Sequence, residues 1–153
     1  MIKNLLKKEL IFDGIKVNGS NKDEALKVIS ELVVNSSDVC SQDLLNGFLK
    51  REEESSTGFG GYVAIPHTKL EGVKNPFISI VKFENDIEWE SLDDEPVKVA
   101  IALVMPATDE GNIHLQIISK FARKLMDDDF VEVLLNESDK EKLYNYIISE
   151  MEG

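Results

Sequence analysis

The chain reads as an α/β protein, a mixed β-sheet flanked by helices on both faces, in a single domain over residues 1–153. Three observations predict this. Segments whose apolar residues recur at helical spacing alternate with short runs of β-formers. One run, Val97 to Met105, is almost wholly apolar apart from Lys98, as a central strand covered on both faces has to be. The 153 residues, 42% hydrophobic and 30% charged, suit one sizeable core better than two small ones.

The elements follow in order. Ser20 or Asn21 can cap a helix whose apolar face is Ala25, Ile29, Leu32 and Val33. Ser41 can cap a second, with Leu44, Leu45, Phe48 and Leu49 on one side. Gly58, Gly60 and Gly61 break the chain, and Tyr62 to Ile65 is a short strand stopped by Pro66. Phe77 to Phe83 is a further strand. Glu84 to Glu95 carries seven acids and no base, but Ile87, Trp89 and Leu92 interrupt it, which reads as a solvated connection pinned by an aromatic anchor. After Pro106 a helix runs from about Ile113 to Met126, with Ile117, Ile118, Phe121 and Leu125 inward. Ser138-Asp139-Lys140-Glu141 reads as a capping box opening a last helix with Leu143 and Ile147 inward. Helices placed between strands imply a layer on each face of the sheet.

Composition narrows the function. A net charge of −12 disfavours non-specific nucleic-acid binding and an anionic membrane surface, and favours a partner with a basic docking face. No apolar run is long enough for a membrane span. Met1 to Phe12 carries Lys3, Lys7 and Lys8 with neither an apolar stretch nor a cleavage site of the secretory kind. With Cys40 the sole cysteine, no internal disulfide can form, and the chain is expected in the cytoplasm.

Few residues can carry chemistry. His67 follows Ala64-Ile65-Pro66, so a rigid approach presents its imidazole at the carboxyl end of a strand, where α/β sheets tend to bind ligands. The plainer alternative is a strand-end histidine bonded to a loop. His114 falls in the first turn of its helix, where the dipole favours a neutral ring and an incoming anion; alternatively it is a core histidine on a backbone carbonyl. Arg51 could grip phosphoryl oxygens through its forked donors, or pair with a neighbouring glutamate. Thr57-Gly58-Phe59-Gly60-Gly61 could offer N–H groups to an anion or simply turn, and it lacks the lysine of a nucleotide P-loop. No zinc-type spacing and no G-x-S-x-G elbow occurs.

Arg51-Glu52-Glu53 through Ser56-Thr57-Gly58, then Ala64-Ile65-Pro66-His67, resembles the active-site signature of phosphotransferase-system (PTS) enzyme IIA domains of the fructose/mannitol family. The likeness continues through Trp89 to Val97, the strand ending at Met105-Pro106, His114-Leu115 and Leu125 to Phe130, and covers roughly residues 10 to 150. It implies a single type-2 IIA domain and a phosphorylated histidine, matched by His67 and carrying the group on its tele nitrogen. His114 matches the second active-site histidine, Arg51 the family's arginine and candidate clamp, and Thr57 and Gly58 its phosphoryl-binding loop. No metal or cofactor is implied. The implied partners are the histidine-containing phosphocarrier protein as donor and a IIB cysteine as acceptor, with a IIC permease beyond it, serving uptake of fructose, mannitol or a related sugar. The alternative is a nitrogen or metabolic regulator that binds targets according to its phosphorylation state. Two departures stand out: Thr68-Lys69 follows the histidine where many relatives have glycine, and Gly61-Tyr62 stands where Asn-Gly is frequent.

Chemically, a histidine that attacks phosphorus has to be neutral, so one ring nitrogen needs a fixed hydrogen-bond acceptor while the other faces the donor.

Overall fold

A computed structural model describes residues 2–152. After a short turn of helix, α1 (Ile2–Leu5), come β1 (Leu6–Ile15), α2 (Lys22–Val33) and α3 (Ser41–Glu54). Three short strands follow, β2 (Gly58–Gly60), β3 (Val63–Ala64) and β4 (His67–Leu70), then the two long ones, β5 (Phe77–Ile87) and β6 (Val97–Pro106). The chain closes with α4 (Ile113–Lys124), α5 (Asp128–Asn136) and α6 (Lys140–Glu152).

The strands form one mixed sheet in the order β1-β5-β6-β3-β2, with β4 also on β6. β5 and β6 are antiparallel, whereas β1 runs parallel to β5, and β3 and β4 parallel to β6. The apolar run predicted as a central strand is β6, and its alternation sorts the core. Val99, Ile101, Leu103 and Met105 face a cluster with Ile117 and Phe121 of α4, Phe130 of α5 and Ile147 of α6. Ala100, Ala102 and Val104 face Leu26 and Ile29 of α2 and Leu44 and Phe48 of α3. Side chains alternate across a strand, so an unbroken apolar run serves both layers.

Several expectations change in detail. The caps move by one residue. Cys40, not Ser41, is the N-cap of α3 and makes no side-chain bond there. Asp139, not Ser138, caps α6, its carboxylate accepting from the N–H groups of Glu141 and Lys142. A carboxylate beside the free N–H groups of a helix start outcompetes a hydroxyl one residue away. Asn21 does cap α2, accepting from Glu24 N–H at 2.9 Å. β5 continues to Ile87, so the first third of the acidic stretch is strand and not connection. Trp89 is buried, as expected of an anchor. The strand expected at Tyr62–Ile65 shortens to Val63–Ala64, and α4 ends at Lys124 with Leu125 as its C-cap.

Pro66 ends β3 without ending the lane. Ala64 pairs with Ala100 and His67 with Leu103, three residues along on both strands, so β4 resumes in the register that β3 left. Proline donates no hydrogen bond, yet its carbonyl still accepts from Leu103 N–H at 3.0 Å. His67 therefore opens a strand beside the second half of β6, where the expectation had it beyond a strand's end.

Candidate functional site

The site is built where α3 crosses β4. Gly47 lies on the crossing face: a Cβ there would sit 2.3 Å from Thr68 Oγ1 and 3.0 Å from Leu70 Cδ2. With no side chain at that point the helix seats directly on the strand. One turn later, on the same face, Arg51 reaches down and donates from Nε to His67 Nε2 at 2.9 Å. A terminal guanidinium nitrogen of Arg51 donates to the Ser55 carbonyl at 2.8 Å, and the Glu54 carboxylate lies 3.7 Å from Nε.

His67 Nδ1 is 2.9 Å from the Ile65 carbonyl. A carbonyl oxygen only accepts, so Nδ1 carries the proton and the lone pair is on Nε2. This is the fixed acceptor that the chemistry calls for. Burial pushes the His67 pKa below its ordinary value; the Ile65 carbonyl opposes this, and the Arg51 guanidinium reinforces it. The result is a neutral imidazole with its nucleophilic nitrogen under an arginine.

His114, in the first turn of α4, lies across from it, the ring centroids 6.3 Å apart. Its Nδ1–H donates to Asp109, whose carboxylate also accepts from the backbone N–H groups of Ile113 and His114, each at 3.1 Å. Burial alone would raise the Asp109 carboxyl, but the His114 N–H and imidazole, together with the Ile113 N–H, outweigh it and hold the group below the usual carboxylate range. Arg51, His67 and His114 line one open cleft of about 360 Å³, with Lys50, Lys69 and Glu54 at its walls. A larger cleft of about 430 Å³ beside α4 and α6 contains no histidine, and its Lys124 is already paired with Glu150 at 2.9 Å.

Thr57 and Gly58 do not line this cleft. The N–H and hydroxyl of Thr57 both go to the Glu52 carboxylate, and the Gly58 N–H goes to Ser56 Oγ at 3.1 Å. Gly58 passes so close to the next segment that a Cβ would lie 2.1 Å from the Glu90 carbonyl. Glu52 is the hub here. Its side chain is only 4% exposed, takes Trp89 Nε1–H at 3.3 Å, and has Lys22 Nζ at 3.5 Å. It ties the end of α3 to the Thr57 loop, the Trp89 segment and α2.

Sequence reasoning did not single out Glu52 or Asp109 for a role. An aspartate just ahead of a predicted helix start is a cap signal that could have marked Asp109. A lone glutamate in an acidic run carries no comparable mark for Glu52.

Fold and site together define an α/β domain organised around a neutral, arginine-capped histidine with a second histidine opposite. The chain belongs to the family described as phosphoenolpyruvate-dependent sugar phosphotransferase system, EIIA 2, which it matches over residues 4–150. It is 31% identical to the PTS system fructose-specific EIIA component of Haloferax volcanii over 87% of this chain and 86% of that one. It is 35% identical to the nitrogen regulatory protein of Klebsiella oxytoca over 86% and 82% respectively. Against the fructose-specific EIIABC component of Mycoplasma pneumoniae, 31% identical, 97% of the chain spans only 21% of the relative. The structure is similar to nitrogen regulatory protein IIA-Ntr from Neisseria meningitidis, with a TM-score of 0.83, 25% identity, and 92% and 94% of the two chains covered. It also shares the fold of a chain in the Escherichia coli complex of enzyme IIAMTL with phosphorylated enzyme IIBMTL, with a TM-score of 0.74, 21% identity, and 97% and 99% covered.

Proposed function

We propose that this chain is a phosphocarrier that takes a phosphoryl group from the histidine-containing phosphocarrier protein onto His67 Nε2 and passes it to a IIB cysteine. The supporting observation is the state of His67, with Nδ1–H held on the Ile65 carbonyl and Nε2 open to a cleft under Arg51. The Nε2 lone pair forms the new P–N bond as the donor's P–N bond breaks, and the donor nitrogen keeps that electron pair. The proton stays on Nδ1 throughout, donated to the Ile65 carbonyl. Arg51 leaves Nε2 for the phosphoryl oxygens, where its forked donors match the geometry and offset charge. Phosphoryl transfer asks a protein mainly for positioning and charge stabilisation, and both donor and acceptor side chains arrive prepared. The roles of Thr57 and Gly58 are indirect in this reading, holding the loop that buttresses Arg51.

In the transport reading the chain works in the cytoplasm and IIB hands the group on to a fructose- or mannitol-type sugar entering through IIC; a IIB partner is supported by the likeness in fold to a chain of the complex of enzyme IIAMTL with phosphorylated enzyme IIBMTL. A second reading, regulation of targets according to phosphorylation state, is favoured by the similarity to the nitrogen regulatory proteins. Incubation with phosphoenolpyruvate, enzyme I and the phosphocarrier protein, followed by intact mass, tests what the two readings share. One acid-labile phosphoryl group is expected on the wild type and none on His67→Ala; full labelling of His67→Ala refutes the assignment. Onward transfer to a IIB domain then separates transport from regulation.

A further inference from the structure

Of the side chains around the cleft, Asp109 carries an unassigned role. Its side chain is 4% exposed, and its carboxylate accepts three hydrogen bonds from the first turn of α4, one of them from the His114 ring. The backbone bonds alone would make it a helix cap, and one is needed: Asn112, at the cap position, is left-handed with φ 52° and makes no side-chain bond. The bond to the ring does something a cap does not. A carboxylate only accepts, so it fixes the proton on His114 Nδ1 and turns Nε2 away from itself. Nε2 of a neutral ring in that tautomer is an acceptor and would repel phosphoryl oxygens. It can donate to them only if the ring holds a second proton.

We propose that Asp109 is a positioning residue that stabilises His114 as an imidazolium facing the phosphoryl group on His67, so that loading His67 brings one proton from solvent onto His114 Nε2. The inference rests on the phosphocarrier reading. The charged groups sharing the cleft are Lys50, Arg51 and Lys69 against Glu54, with Asp109 behind the ring. In the unloaded protein that cationic excess resists a further positive charge. An arriving phosphoryl group brings negative charge onto His67, whose ring centroid lies 6.3 Å from that of His114, and reverses the balance. Asp109 supplies the counter-charge on the far side, as a carboxylate behind an imidazole does wherever a ring has to become cationic during a reaction.

The test separates the cap from the charge. Asp109→Asn retains a good capping side chain and removes the negative charge. Imidazole ¹⁵N spectra are recorded for the wild type and Asp109→Asn at about pH 8, where an ordinary imidazole is neutral, before and after labelling through enzyme I and the phosphocarrier protein. Expected are double protonation of His114 in the labelled wild type alone, and labelling of Asp109→Asn slowed by about tenfold, the worth of one charge-assisted hydrogen bond. Melting of Asp109→Asn close to the wild type is expected alongside. A labelled wild type with singly protonated His114, or an Asp109→Asn protein with the wild-type spectrum and rate, overturns the proposal and leaves the carrier reading intact. A wild type that takes no label overturns both. The wild-type spectra need no variant, so misfolding of Asp109→Asn does not remove the test.

Discussion

Gly47→Ala is the sharpest probe of how the site is assembled. The new methyl would lie 2.3 Å from Thr68 Oγ1, where 3.4 Å begins ordinary contact, so helix or strand has to yield by roughly 1 Å. The strand cannot easily do so, because Thr68 is buried and its backbone pairs with Val104 of β6. The helix gives way instead. Alanine in a helix interior is intrinsically better than glycine by about 0.5–1 kcal/mol, but overpacking costs about 1–3 kcal/mol, so the clash wins by up to about 2.5 kcal/mol. For a domain of this size that lowers Tm by up to roughly 10 °C. Arg51, one turn along, moves with the helix, and its 2.9 Å bond to His67 Nε2 stretches out of hydrogen-bond range. Misplacement on this scale costs up to about 100-fold in rate. The assay is labelling rate from the phosphocarrier protein together with thermal unfolding. Thr68→Gly, added to Gly47→Ala, removes the clashing atoms and should recover most of the rate even though glycine weakens β4. A Gly47→Ala protein as stable and as fast as the wild type, or a double variant no better than the single one, refutes the reasoning.

His67→Ala should abolish labelling, whereas His114→Ala should leave a slower or less stable phosphoenzyme, read by mass and by hydrolysis rate. Glu52→Ala leaves Thr57, Trp89 and Lys22 without their common acceptor, so stability should fall by about 1–3 kcal/mol; Trp89 is the sole tryptophan, and an unchanged emission spectrum would count against the network. The lowered His67 pKa predicts that labelling persists on acidification below about pH 6.5, where a free imidazole would already be protonated. The same shift has a stability consequence. Between the folded value and the unfolded value of about 6.5 the unfolded chain binds more protons, so the His67 contribution shrinks as pH falls through that window and is constant above it. Urea unfolding of the wild type and His67→Gln should therefore converge on acidification; parallel pH profiles would show the shift to be absent.

Much of this protein was legible in its residues alone. Val97 to Met105 announced the central strand because a strand buried on both faces has no polar side to show, and the helical spacing of Ile117, Phe121 and Leu125 announced α4 for the complementary reason. His67, His114 and Arg51 stood out because few other side chains here suit phosphoryl chemistry, and the motif order tied them to one family. β1 and α5 escaped. Leu6–Ile15 carries Lys7, Lys8, Glu9 and Asp13, and only pairing with β5 makes it a strand, while Asp128–Asn136 is short and acidic at its start. Tertiary structure alone decided how the site works. Local sequence states which groups exist; it does not state which of two ring nitrogens meets a carbonyl, or that a helix seats on a strand because Gly47 leaves room for Thr68. Glu52 acquired its role from partners that meet it only after folding, Trp89 being 37 positions away along the chain, whereas Asp109 finds its donors within the next five residues and owes to the fold only the placement of His114 opposite His67. A buried carboxylate has to find donors wherever the fold places them, and the fold, not the local pattern, selects which they are.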